Sequence, residues 1–155
     1  MNIGIIIYTQ TGNTGIVARK LQEKLSDAGH TANVEQITIS GDTPAQPGKF
    51  KLDNVPAVDG YDAIIFGSPV QAFSLNPVMK SYLEQLPSMT NNKVACFVTK
   101  QLPISWTGGT QATGKMRSIC GAKGAVVKGV EIIFWSKGKR DQSVSKGVEN
   151  LSNLF

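Results

Sequence analysis

Several residue types are scarce in this 155-residue sequence, and each scarcity excludes a class of protein. Cysteine occurs twice, as Cys96 and Cys120, and histidine once, as His30, so neither a zinc site nor a disulfide framework is expected. No apolar run approaches the ~20 residues that cross a bilayer, which argues against membrane insertion. We expect both cysteines to be buried or semi-buried free thiols and His30 to lie at the surface.

Two common nucleotide-binding motifs are also missing. The pattern GxxxxGK[ST] is absent, so hydrolysis of a nucleoside triphosphate is not expected. GxGxxG is absent as well, as is an acidic ribose-binding residue after a second strand, so a dinucleotide fingerprint is not expected. No nucleic-acid-binding motif is present, and we expect no nucleic-acid partner.

The composition is otherwise that of one folded domain over residues 1–155. Apolar residues make up 41% and charged residues 17%, as in ordinary globular proteins. The N-terminal segment lacks a basic region before its apolar residues and is predicted to be a strand, which favours a cytoplasmic protein. The net charge of +5 comes from the second part of the chain, because residues 93–155 carry 10 basic and 3 acidic side chains. A field of this sign attracts anionic partners.

Apolar patterns typical of strands and helices alternate along the chain. Strands are predicted at residues 2–8, 30–39, 62–67, 93–99 and 124–135. Helices are predicted at residues 14–25, 76–86, 109–120 and 140–154. This order predicts an α/β fold with a doubly wound, five-stranded parallel sheet in the strand order 2-1-3-4-5 and helices on both faces. Residues 40–60, which are rich in proline and glycine, are predicted as a long connection packed by Phe50, Leu52 and Val55.

The turn from the first strand to the first helix is uncharged and rich in hydrogen-bond donors. It contains Thr9, Gln10, Thr11, Gly12, Asn13 and Thr14. N–H groups at a helix N-terminus lack intrahelical partners and lie at the positive end of the helix dipole, so they favour an anion. Gly12 allows the backbone to curve, and the threonine hydroxyls are further donors. The turn is therefore predicted to bind a phosphate, although a capped helix without a ligand would also fit.

Thr-x-Thr-Gly-Asn-Thr after an N-terminal apolar strand resembles the FMN phosphate-binding signature of the flavodoxin family. The resemblance extends over residues 1–155 and implies a flavodoxin-like fold and FMN as cofactor. It also implies that the loops after the third and fourth strands contact the flavin. In the loop 68–75, the expected cofactor-binding residues are Ser68, Pro69, Val70, Gln71 and Phe73, with Phe73 either covering the flavin's apolar edge or filling the core.

The end of the fourth strand and the loop 100–108 that follows it contribute the remaining expected cofactor contacts. These are Thr99, Lys100, Gln101, Trp106 and Gly108, with Trp106 as the flavin-stacking residue. Neither flavin loop contains Asp or Glu, which departs from the acidic surroundings common in electron-transfer flavodoxins. Without those charges, an anionic reduced flavin forms more easily.

Three functions remain open from the sequence. The first is a carrier of electrons between redox partner proteins, which are expected to be acidic, or small acceptors. The second is an FMN-dependent oxidoreductase that takes electrons from NAD(P)H and passes them to a quinone-type acceptor. The third is a domain that binds a phosphorylated ligand without redox chemistry. The sequence assigns no catalytic residue and no metal ligand.

Overall fold

The computed structural model describes residues 1–41, 46–101, 108–136 and 138–155. The strands are β1 (Asn2–Ile7), β2 (Thr31–Gln36), β3 (Thr38–Gly41), β4 (Phe50–Asn54), β5 (Ala63–Gln71), β6 (Ser74–Leu75), β7 (Lys93–Lys100) and β8 (Val126–Phe134). The helices are α1 (Asn13–Asp27), α2 (Pro77–Gln85), α3 (Gly109–Ala122) and α4 (Arg140–Ser152).

The central sheet has the predicted topology. Five parallel strands lie in the order β2-β1-β5-β7-β8, and β6 adds a short antiparallel pairing to β5. The sheet separates two groups of buried side chains. One group packs beneath α1 and α4 and includes Ile5 and Phe97, and the other packs beneath α2 and α3 and includes Ile6 and Cys96. Both faces of the sheet are therefore covered, as the uninterrupted aliphatic pattern of β1 predicts.

The segment between β2 and β5 has more regular structure than the sequence indicates. The predicted strand 30–39 is divided at Ile37, whose N–H still donates to the carbonyl of Ile7 at 2.8 Å. Strands β3 and β4 then form an antiparallel pair. Phe50 and Leu52 pack against the core as predicted, but Val55 is exposed, so that part of the prediction is wrong.

The segment after β4 is held by a buried tyrosine. The hydroxyl of Tyr82 in α2 donates to the carbonyl of Pro56 at 2.5 Å. This bond satisfies a polar group inside the core and fixes the chain between β4 and β5 against α2.

Both cysteines are free and buried, as predicted. A hydrogen bond with Cys120, together with burial, raises the pKa of the Cys96 thiol well above its usual range. Within the described residues, none of the helices has the length and apolar character needed to span a membrane.

Candidate functional site

The turn between β1 and α1 has the geometry of an anion cradle. Gly12 is the N-cap residue of α1 and adopts φ +94°, a left-handed conformation that glycine adopts without steric cost. Its N–H donates to the Thr9 hydroxyl at 3.1 Å, which closes the turn. The N–H groups of Asn13, Thr14 and Gly15 begin the helix and have no intrahelical acceptor, whereas that of Ile16 donates to the carbonyl of Gly12. No acidic residue lies in the first turn of α1, so an anion meets no repulsion there.

A buried pair of hydroxyl groups connects this turn to the end of β7. Oγ1 of Thr14 lies 2.9 Å from Oγ1 of Thr99, and both side chains are buried. The two residues are 85 positions apart in the chain. The hydroxyl of Thr14 therefore points into the protein. Thr14 would contribute to anion binding through its main-chain N–H.

The segment after Gly67 is not the loop 68–75 that the sequence predicts. Strand β5 continues to Gln71 and turns back through Ala72 and Phe73 into β6. The cause is pairing on both sides: Ser68 and Pro69 pair with Val98 and Thr99 of β7, while the end of β5 pairs with β6. The predicted backbone contacts at residues 68–71 thus come from a strand end rather than from a free loop.

Phe73 lies in a strained position at this hairpin. Ala72 and Phe73 have φ of 50° and 60°, a left-handed conformation that residues with a Cβ rarely adopt. The Phe73 side chain is 62% exposed, so the alternative that it fills the core is wrong. Such strain persists only where the surrounding structure enforces it, and it is frequent at ligand sites.

Three amide side chains connect the hairpin to the turn between β1 and α1. Oε1 of Gln71 accepts hydrogen bonds from Nδ2 of Asn76 at 2.8 Å and from Nε2 of Gln10 at 3.1 Å. Asn76 is fully buried and caps α2, because its Oδ1 accepts the N–H of Val78 at 2.9 Å. The sequence analysis did not identify Asn76 as a site residue, although an Asn directly before a proline is a typical helix start.

The third predicted segment begins at the end of β7. Lys100 is the last residue of β7, only 6% exposed, and its Nζ lies 5.6 Å from the centre of the Phe134 ring. Burial lowers the pKa of this lysine. Gln101 is exposed. Trp106, the predicted stacking residue, falls among residues 102–107, which are outside the described part of the chain.

Gly108 brings α3 against the hairpin. It is the N-cap residue of α3 with φ +108°, and a Cβ at this position would lie 2.4 Å from the carbonyl carbon of Phe73. Only glycine permits this approach of two backbones. The three predicted segments therefore meet at the carboxyl edge of the sheet, where ligands bind in folds of this kind.

The residues present suit FMN. A phosphate requires convergent donors without negative charge, as in the first turn, and a flat ring requires apolar and aromatic surface, as Phe73 presents. The space beside Gly12 is open, since a Cβ there would meet nothing within 4 Å.

Comparisons with known proteins agree with this fold. Residues 1–139 match the sequence model of the family described as NADPH-dependent FMN reductase. Oxidised flavodoxin 2 of Bacillus cereus is similar with a TM-score of 0.70 and 19% identity, over 99% of this chain and 97% of that one. Oxidised flavodoxin 1 of the same organism is similar with a TM-score of 0.69 and 16% identity, over 99% of this chain and 96% of that one. The Trp repressor binding protein of Bacillus subtilis is similar with a TM-score of 0.65 and 16% identity, over all of both chains. None of the curated proteins matches the sequence.

Proposed function

This chain belongs to the NADPH-dependent FMN reductase family and has FMN as its cofactor, and on that premise we propose that it carries electrons to redox partner proteins or small acceptors. The observation that supports this best is the junction of three chain segments at one edge of the sheet. The hydroxyl pair of Thr14 and Thr99, the amide link through Gln71 and the contact at Gly108 hold these segments together. A preformed junction of this kind lowers the entropy cost of binding a rigid cofactor.

Different segments of the chain would hold different parts of FMN. The turn from Thr9 to Thr14 would hold the phosphate through main-chain N–H groups and the hydroxyls of Thr9 and Thr11. The strand end with Ser68, Pro69, Val70 and Gln71, and the segment with Thr99, Lys100 and Gln101, would border the ring. Phe73 would cover one apolar edge, and the stacking role of Trp106 is a proposal from the sequence. FMN, when bound, supplies the redox chemistry.

Lys100 would influence that chemistry through its charge. The flavin loops contain none of the carboxylates common near the flavin in electron-transfer flavodoxins, and Lys100 is basic. A buried ammonium group stabilises negative charge on a neighbouring ligand. We therefore expect a less negative potential than strongly acidic flavin surroundings would produce.

A second candidate is a reductase that takes electrons directly from NADPH, and family membership favours it. An anaerobic visible spectrum of the FMN-loaded protein, before and after addition of NADPH and then NADH, separates the two. Bleaching of the flavin band within seconds identifies an NAD(P)H-driven enzyme. A flavin that stays oxidised with both nucleotides, yet bleaches with dithionite, identifies a carrier that requires a separate reductase.

FMN binding at the proposed turn can be tested with two matched glycines. Gly12 and Gly29 stand at the two ends of α1, both with φ +94° and both with open space where a Cβ would be. G12A and G29A should each cost about 1 kcal/mol of unfolding free energy, because alanine is strained in this conformation. Only G12A should weaken FMN binding in a fluorescence titration. Equal FMN affinities in the two variants would contradict the proposed phosphate site.

A further inference from the structure

A cleft lies between α1 and α4, beside the segments proposed to hold FMN and with Gln101 as a shared residue. One part has a volume of about 350 Å³ and is lined by Ile16 and Lys20 of α1 and by Trp135 and Arg140. A neighbouring part of about 570 Å³ shares Trp135 and Arg140 and extends to Gln101. We call these two parts together the Trp135 cleft. Their volumes are in the range of small-molecule sites.

The cleft combines a flat aromatic surface with a cation. Trp135 follows β8, is partly buried against the core, and retains exposed surface toward the cleft. The guanidinium carbon of Arg140 lies 5.8 Å from the centre of the Trp135 ring. An indole and a guanidinium group in this arrangement offer stacking to a planar base and two parallel donors to a phosphate.

Positive charge predominates around the cleft. Helix α4 begins at Lys139 and Arg140, two cations at the positive end of the helix dipole, and has no side-chain cap. Arg140 lines the cleft, and Lys20 of α1 is a second cation in its lining. The carboxylate in the lining is Asp141, whose Oδ1 lies 3.4 Å from Nε of Arg140 in a solvent-exposed pair. Cations are unfavourable at a helix start; Asp141 in the first turn of α4 supplies one compensating negative charge, and a bound anion would supply more.

The cleft lies at the same edge of the sheet as the proposed FMN site. Gln101 lines the cleft and directly follows Lys100 at the end of β7. Ile16 lies in the first turn of α1, whose start forms the proposed phosphate-binding turn. A ligand in the cleft would therefore neighbour both the first and the third FMN-binding segments.

We propose that the Trp135 cleft binds the phosphorylated adenosine end of NADPH, with the purine against Trp135 and the 2′-phosphate at Arg140 and Lys20. This inference rests on the second candidate function, in which NADPH is the direct donor. The proposal predicts a preference for NADPH over NADH that depends on charges on α1 and α4. Inorganic phosphate offers no ring to Trp135 and would bind more weakly.

The test uses adenosine 2′,5′-bisphosphate, which carries the purine and the 2′-phosphate but no nicotinamide and so cannot reduce the flavin. Its binding to the FMN-loaded protein is measured by calorimetry, with 5′-AMP and inorganic phosphate for comparison. The bisphosphate should bind most tightly. K20Q and R140Q should each weaken its binding about fivefold, a moderate loss because both cations are exposed.

K24Q is the matched control, since Lys24 lies one turn after Lys20 on α1 and does not line the cleft. It should leave binding of the bisphosphate unchanged, and all three variants should retain the FMN affinity of the parent protein. If K20Q and R140Q weaken binding of the bisphosphate, the Trp135 cleft is supported as its binding site, even if NADPH fails to bleach the flavin. Absence of binding, or equal binding by all variants, overturns the cleft even if NADPH does bleach the flavin.

Discussion

Replacement of Asn76 by serine should weaken FMN binding without direct contact between Asn76 and the cofactor. Asn76 supports the proposed site through Gln71, to which its Nδ2 donates at 2.8 Å, and Gln71 in turn accepts from Gln10. Serine also caps helices well, so N76S retains a cap for α2 and removes the amide donor. The variant therefore separates the two functions of this side chain.

The magnitude follows from the two contacts. Loss of the hydrogen bond to Gln71 costs about 0.5–1.5 kcal/mol, and the smaller side chain leaves a cavity worth about 1 kcal/mol more. Unfolding free energy should therefore fall by about 1.5–2.5 kcal/mol, which leaves the protein folded at 25 °C. FMN binding must then fix a Gln71 side chain that has lost one of its hydrogen bonds, at about 0.5–1.5 kcal/mol, so the Kd should rise about threefold to tenfold.

The assay is a fluorescence titration of FMN together with urea unfolding of each variant. K80G is the control, because it removes about 0.7 kcal/mol of stability from the exposed side of α2 and leaves Asn76 in place. K80G should bind FMN as tightly as the parent protein. An unchanged Kd for N76S, or an equal loss of affinity for K80G, would refute the positioning role of Asn76.

Four further predictions follow from the same site and core. F73A should weaken FMN binding several-fold and leave the midpoint of thermal unfolding nearly unchanged, because Phe73 is mostly exposed; a drop in stability without loss of affinity would contradict this. K100M should make the potential of bound FMN more negative by on the order of tens of millivolts in a dye-equilibration titration, since ~1.4 kcal/mol corresponds to about 30 mV for two electrons. Cys96 and Cys120 should resist a thiol reagent until guanidinium unfolds the protein. The raised pKa of Cys96 also predicts that stability falls as the pH rises above the ordinary thiol pKa of about 8.5, because the unfolded state then releases a proton that the folded state retains.

The order of the sheet and the donor-rich turn that begins α1 could be predicted because both depend on local patterns. A continuous aliphatic strand followed by a donor-rich turn and an amphipathic helix has few alternative interpretations. Pro69 and Ser68 made the end of β5 resemble a loop, since proline is rare inside strands. The strand continues there because pairing with β7 and β6 outweighs local preference.

Side-chain links between distant segments were beyond prediction from the sequence. The contact between Thr14 and Thr99, and that between Gln10 and Gln71, join residues 85 and 61 positions apart. Their partners depend on the register of strands that the local pattern does not specify. Asn76 had a local signal for capping, but nothing in the sequence indicated that its other amide atom reaches the neighbouring hairpin.

The division of the core by the sheet has an evolutionary consequence. Side chains beneath the Trp135 cleft belong to the group under α1 and α4, whereas the residues that support the hairpin of Phe73 pack with α2 and α3. Mutations that alter one face therefore meet few neighbours on the other, and effects at well-separated positions tend to add. A lineage with this architecture can change what approaches along α4 while the residues that support the Phe73 hairpin stay constant. The same partition would let a protein engineer randomise the two faces in separate libraries and combine the best variants afterwards.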